Sequence, residues 1–344
     1  MTATALTLRT LLTRWSVRRA WGAVIAFAMI SEGSNAATIT ETFTTDPFTR
    51  GWRSFGDSSL FNWNATNQNM EVTWDSSRPN SYFWMPFRTI LSKSDEFSLS
   101  FDLTLRDIAI GTSSEKPYTF QIALGFLNLS NATATNFFRG AGQTAIGPRN
   151  LVEFDYFPDS GFGATFAPTV VATNHLIYFS DNHPLVMTTG DLFHITMGFA
   201  ASNRTLRTTV TKNGATFSNI RDLAPPTTAD FRCDALAVMS YSDAVQFGTN
   251  TYWGSVLAHG VVDNFVATIP DPPVQNFAGA RSNTTYRAQF LSRTNWNYTL
   301  ARTIDFTTWT NVTASSSGSG GPMVLQDTNA QEARAFYRVT ALKP

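Results

Sequence analysis

Glu153 and Asp155 stand two residues apart in the run Leu151-Val152-Glu153-Phe154-Asp155-Tyr156-Phe157, and Asp159 follows just beyond it. On a strand, residues i and i+2 share a face with Cα atoms about 6.7 Å apart, so the two carboxylates would stand side by side. Such neighbours repel unless a cation, an arginine or a shared proton relieves them. Oxygen donors without histidine suit calcium, with Glu153, Asp155 and Asp159 as the candidate metal ligands. The open alternative is that one acid is solvated while the other caps a turn or pairs with an arginine such as Arg149. A second chemistry is stacking. Trp52, Trp63, Trp74 and Trp84 are interleaved with Phe61, Tyr82, Phe83 and Phe87, and aromatic faces stack on the apolar faces of sugar rings. Trp52 and Trp63, set among Asn, Arg and Ser, are the candidate ligand-binding residues.

Other combinations carry less. His175, His183, His194 and His259 show no ligand spacing. Gly56-Asp57-Ser58 with Leu60, and Asp191-x-x-His194, imitate an esterase's nucleophile block and its partner, but that chemistry belongs to α/β proteins and no crossover helices are legible here. Cys233 is the single cysteine, which excludes an internal disulfide and a Cys-rich zinc site.

The elements that must position these residues are strands. Period-two alternation dominates, and 3.6-residue stripes are absent. The pattern predicts strands at 69–74, 97–103, 118–127, 151–157, 175–179, 191–200, 204–212, 231–241 and 261–269. Asn213-Gly214 predicts a tight hairpin, because a primed turn needs positive φ at both central residues. About a dozen short strands in one block imply two packed sheets. Pro270-Asp271-Pro272-Pro273 ends the block, since proline cannot donate to a ladder. It predicts a stiff linker over 270–278 and a separate small β-unit over 279–344, with strands at 286–291, 296–303, 322–326 and 335–341. Ser315–Gly321 reads as a flexible loop within that unit.

At the other end, four arginines precede the apolar stretch 20–30, and Ser34-Asn35-Ala36 supplies the small residues of a cleavage site. Residues 1–36 therefore read as an export signal, with the mature chain secreted or displayed on the cell surface. Eleven apolar residues in a helix would reach about 17 Å, too short for a membrane span. Without that segment, 21 basic and 24 acidic residues remain of the 25 of each. A net charge of about −3 without basic runs leaves no footprint for nucleic acid.

The Leu151–Asp159 run resembles the metal-binding strand of legume-type lectins, in which a Glu-x-Asp pair precedes an aromatic, a proline and a further oxygen ligand. That resemblance implies a concanavalin-like jelly-roll over 37–269, with calcium held by Glu153, Asp155 and Asp159 and a carbonyl from Phe157. The family's next aspartate and its histidine would fall near Ala164 and Thr169, where this chain departs from it. The same Glu-x-Asp resembles the catalytic strand of laminarinase-like glycoside hydrolases, but Phe157 and Pro158 stand where their second glutamate belongs. Val262-Asp263-Asn264-Phe265 resembles the closing strand of laminin-G-like domains. Tyr298-Thr299-Leu300, Phe306-Thr307-Thr308-Trp309 and Ala335–Val339 resemble a β-module that ends many secreted bacterial proteins. The expectation is an all-β, exported protein that binds a polysaccharide or cell-surface glycan without cleaving it. An adhesion module without a small-molecule site is the alternative, and a glycoside hydrolase or polysaccharide lyase the third.

Overall fold

The computed structural model describes residues 36–111, 120–141, 147–161, 163–179, 183–223, 229–246, 250–330 and 335–344. Apart from Ala36, the segment read as an export signal lies outside these residues, as does the expected strand start at Tyr118. Among the described residues no helix is long and apolar enough to cross a membrane.

The chain is all-β. Its first part runs β1 (Ala37–Glu41), β2 (Arg53–Phe55), β3 (Phe61–Asn64), β4 (Asn69–Asp75), β5 (Ser81–Leu91), β6 (Phe97–Ile110), β7 (Ile122–Leu127), a one-turn helix α1 (Leu129–Ala132), β8 (Leu151–Phe157), β9 (Thr165–Val171), β10 (Ile177–Phe179), β11 (Leu192–Ala200), β12 (Thr205–Lys212), β13 (Ala215–Asp222), β14 (Cys233–Ser240) and β15 (Val256–Ile269). Two antiparallel sheets result. One has eight strands in the order β13-β12-β11-β6-β15-β4-β3, with β1 also paired to β15; the other has seven, β10-β9-β8-β7-β14-β5-β2. The chain crosses between them repeatedly, as a jelly roll must.

Alternation decides which face each side chain takes. On β6, Phe97, Leu99, Phe101, Leu103 and Leu105 are buried while Ser98, Ser100, Asp102 and Thr104 reach solvent. Phe101 meets Phe154 of the seven-stranded sheet edge-on at 5.9 Å between ring centroids, so the two inner faces close on one core. The Asn213-Gly214 hairpin is present, with φ of 49° and 80°, and joins β12 to β13 in continuous register.

Strands β1, β2, β3, β5 and β9 are not among the expected strands. β9 is buried on both faces, which removes the period of two. The remainder of the chain forms β16 (Val274–Ser282), β17 (Thr285–Ser292), β18 (Asn297–Thr303), β19 (Thr310–Asn311), β20 (Ser316–Ser317), β21 (Pro322–Asp327) and β22 (Phe336–Leu342). These make two small sheets around a core of Ala288, Phe290, Trp296, Tyr298, Leu300 and Leu325. β16 begins inside the stretch read as linker, and β20 inside the one read as a loop. The described residues from 36 to 344 form one compact unit.

Candidate functional site

The acid pair lies on the outer face of the seven-stranded sheet, opposite Ala123 and Gly125 on β7 and Ala167 and Thr169 on β9. Small neighbours leave a depression there, and residues 128–139 of the connection from β7 to β8 pack over it. Tyr82 Oη donates to the Ala132 carbonyl at 3.1 Å and Asn80 Nδ2 to the Phe137 carbonyl at 2.9 Å, while Leu129 N donates to Asp234 Oδ1 at 2.8 Å. From this connection Arg139 reaches down to both acids. Its Nε and Nη2 donate to Glu153 Oε2 at 3.2 and 3.0 Å, and Nη2 also donates to Asp155 Oδ2 at 3.1 Å. Tyr241 donates its hydroxyl to the other Glu153 oxygen. Both carboxylates are fully buried.

The electrostatics follow from that burial. Desolvation opposes the charge on Arg139, but Glu153 and Asp155 outweigh it and raise the guanidinium's pKa. Burial and the Glu153 charge push Asp155 up to about 7, against the pull of Arg139 and Thr169. Burial, then the Glu153 charge, also raises the Tyr241 phenol, which keeps it a donor.

The expectation of a metal on Glu153, Asp155 and Asp159 is therefore corrected. A hard cation needs oxygen lone pairs turned into one shared space, and a guanidinium occupies the space these two acids share. Asp159 stands past the end of β8 and accepts from Gly161 N at 2.9 Å as a turn cap. Among the described residues no group of three His, Cys, Asp or Glu side chains is placed to hold an ion. The residues do not fit calcium. The arginine is Arg139, from a connection without periodicity; Arg149, the expected partner, is exposed.

Trp52 and Trp63 are corrected as well. Trp52 is 1% exposed, stacks on Phe83 at 4.5 Å with an interplanar angle of 5°, and donates Nε1 to Glu41 Oε2 at 3.0 Å. Its polar sequence neighbours belong to the turn, while the ring plugs one end of the core. Trp63 lies on β3 opposite the buried Met70, so it takes the inward face. Its Nε1 is spent on the Phe43 carbonyl at 2.8 Å. Trp52 offers no free face to a sugar, and Trp63 is half-buried with its ring packed against the core.

A different surface is open. The outer face of the eight-stranded sheet carries a trough of about 610 Å³ across β6, β11 and β12, lined by Glu96, Ser98, Ser100, Thr196, Thr205 and Arg207, with Asn203 at one end. Its floor is Gly198. An ideal Cβ built there meets nothing within 4 Å, and the register through Gly198 is unbroken to β6 and to β12. Thr196 and Thr209 share a hydroxyl hydrogen bond across β11 and β12, and Arg207 Nη1 donates to Ser218 Oγ at 3.2 Å. Two residues further along the same strands, His194 Nδ1 pairs with Asp102 Oδ1 at 2.7 Å, and Asn264 Nδ2 donates to Asp102 Oδ2 at 2.8 Å.

The outward residues of β6, β11 and β12 are legible in the sequence by alternation, and a glycine inside a strand pattern is itself a signal. The pairing that brings them together, between strands about a hundred residues apart, is not.

No family model matches the chain, and no curated protein matches it. Solved structures similar to it include peanut lectin with a nonapeptide, at 14% identity over 69% of this chain and 100% of that one, with a TM-score of 0.42. Lectin II from Ulex europaeus is 9% identical over 69% of this chain and 100% of that one, with a TM-score of 0.43. A mutant of the alginate lyase Aly36B in complex with alginate tetrasaccharide is 12% identical over 68% and 97%, with a TM-score of 0.37.

Proposed function

We propose that this chain is an exported, non-catalytic carbohydrate-binding protein whose ligand lies in the trough of the eight-stranded sheet. The observation that carries the reading is the open floor at Gly198. Glycine inside a strand weakens it and marks a bulge, a sharp bend or a close approach by a backbone or ligand. At Gly125 and Gly260 the approach is internal, because an ideal Cβ would stand 2.2 Å from the Val152 carbonyl oxygen and 2.7 Å from that of Thr104. At Gly198 there is neither a bulge nor a neighbouring backbone, which leaves a ligand from outside.

The lining supplies the matching chemistry. Serine and threonine hydroxyls both donate and accept, as sugar hydroxyls do, and Arg207 and Glu96 balance each other's charge. The volume falls within the roughly 300–1,000 Å³ of small-ligand sites. Glycoside hydrolysis calls for two carboxyl groups flanking the scissile bond, whereas Glu96 is the one carboxylate of the lining. Both oxygens of Asp102 are engaged, by His194 and Asn264.

Gly198→Leu tests this without disturbing the protein's own packing. Retention on a polysaccharide matrix should fall by about tenfold or more, equivalent to roughly 1.4 kcal/mol, with the melting temperature unchanged or raised. Unchanged retention would overturn the trough as the site. Release of reducing ends from a polysaccharide would overturn the non-catalytic reading. The adhesion alternative has one observation behind it: Ile304, Phe306, Phe336 and Leu342 are exposed on the terminal unit, with the two phenyl rings 3.9 Å apart. Loss of surface attachment on Phe306→Ser, with glycan retention intact, would favour it.

A further inference from the structure

The trough is the middle of a longer surface. Register carries the Ser100 position across six strands as Thr40, Val266, Ser100, Thr196, Thr209 and Ser218. The Ser98 position runs beside it as Thr38, Thr268, Ser98, Gly198, Arg207 and Ile220. All twelve residues reach solvent, and eight of them are serine or threonine. Strands lie about 4.8 Å apart, so five intervals from β1 to β13 span roughly 24 Å. That is several times the width of one sugar ring.

Within the rows Arg207 is the one charged side chain, and Glu96 beside the trough is opposite in sign, so the track itself carries no net charge to hold an ionic polymer. Hydrogen bonds between Thr196 and Thr209 and from Arg207 to Ser218 hold side chains on neighbouring strands in place before any ligand arrives. Side chains already ordered cost less entropy on binding.

Resting on the trough as the binding site, we infer that the ligand is a neutral, linear polysaccharide lying across the strands, read over several consecutive sugar units rather than as a single residue or chain end. The trough seats a central unit over Gly198, and the flanking hydroxyls meet the units on either side.

Titration calorimetry with linear neutral gluco-, xylo- and manno-oligosaccharides of two to six units tests the inference. In a series that binds, affinity should rise at least tenfold from the disaccharide to the hexasaccharide. Thr40→Val and Thr268→Val lie outside the trough, retain a β-branched side chain and remove only a hydroxyl. Each should weaken the hexasaccharide about two- to tenfold, the worth of a hydrogen bond, and leave the disaccharide unchanged. Equal affinity for all lengths would overturn the inference, and the trough reading would stand if Gly198→Leu still weakened binding about tenfold or more. Tighter binding of uronate than of neutral oligosaccharides would also overturn it, as would a homodimer in solution that buries this sheet face. No binding at any length would remove the trough reading itself.

Discussion

Arg139 does at the acid pair what a bound cation would otherwise have to do. Its charge is shared between Glu153 and Asp155 in a site with no access to water, so removing it leaves two buried carboxylates without a counter-charge. Breaking a buried ion pair from one side costs about 3–5 kcal/mol, and Arg139→Met should lose that much in urea denaturation at pH 8 and less at pH 5, where protonation of Asp155 relieves the pair. Calcium, manganese and a chelator should leave the native protein's melting curve in place, since the site is already filled. Asp155 makes a separate prediction. Its carboxyl is raised from an ordinary 3.8 to about 7 in the folded state, so the folded protein binds the proton more tightly than the unfolded chain does. Its contribution to stability is complete below about pH 4 and is lost as pH rises through 7. Asp155→Asn should flatten that slope; an equally steep decline in the variant would show that other groups cause it. At this scale the sequence was legible in part. The side-by-side acids and their need for a counter-charge follow from strand geometry, but the identity of the counter-charge does not, because Arg139 stands in a connection whose path no local pattern dictates. Trp52 was misread for the converse reason. Polar neighbours describe the turn it sits in, not the direction of its ring.

β7 and β8 show how an element sets a site. Gly125 pairs directly with Glu153, and an added Cβ would stand 2.2 Å from the Val152 carbonyl oxygen and 2.9 Å from the Glu153 Cα. The bare glycine lets the two backbones close up and holds the acid pair at the depth Arg139 reaches. Gly125→Ala would force the strands apart, at about 1–3 kcal/mol in denaturant unfolding, whereas Gly198→Ala, with open space above it, should be neutral or stabilising. Comparable losses at both positions would contradict the distinction drawn between an internal approach and an external one. Half-buried strands such as β4, β11 and β12 are legible to within a residue because one face is wet and the other dry, whereas β6 is legible to residue 103 and continues to Ile110. β9 and the first half of β5 are not, because burial on both faces erases the alternation. Asn213-Gly214 is legible on its own terms, since the turn demands a backbone conformation that few other residue pairs adopt. The trough lies between these cases: each outward residue is readable, but their assembly depends on registers that no single strand contains.

The terminal unit is tied to the sandwich rather than suspended from a linker. Arg293 donates to Asp95 Oδ1 at 2.8 Å, to Thr89 Oγ1 at 2.9 Å and to the Asp271 carbonyl at 2.8 Å. Lys343 reaches the other Asp95 oxygen, and Arg232 donates to the Pro344 carbonyl. Tyr298 Oη donates to the Pro273 carbonyl at 2.7 Å, and Ile90 of the sandwich packs against the unit's core. The proline run was legible as the end of the last long strand. Its docking was not, because Asp95 and its two cations are separated by about two hundred residues or more. Proteases should therefore spare residues 270–273, and the two parts should melt in one transition. Asp95 is the single side chain on which that coupling most depends. It is buried, it faces two cations, and Lys343 is itself 4% exposed, with its pKa lowered by burial despite Asp95. Asp95→Ala leaves the buried Lys343 ammonium and the partly buried Arg293 guanidinium without their carboxylate at the junction, and the expected loss is about 3–5 kcal/mol of docking free energy. Calorimetry should then resolve two transitions where the native protein gives one, and limited proteolysis should release a fragment beginning near residue 271. A single transition at lower temperature, with the junction still resistant to protease, would mean that the shared apolar contacts at Ile90 couple the two parts without the ion pairs.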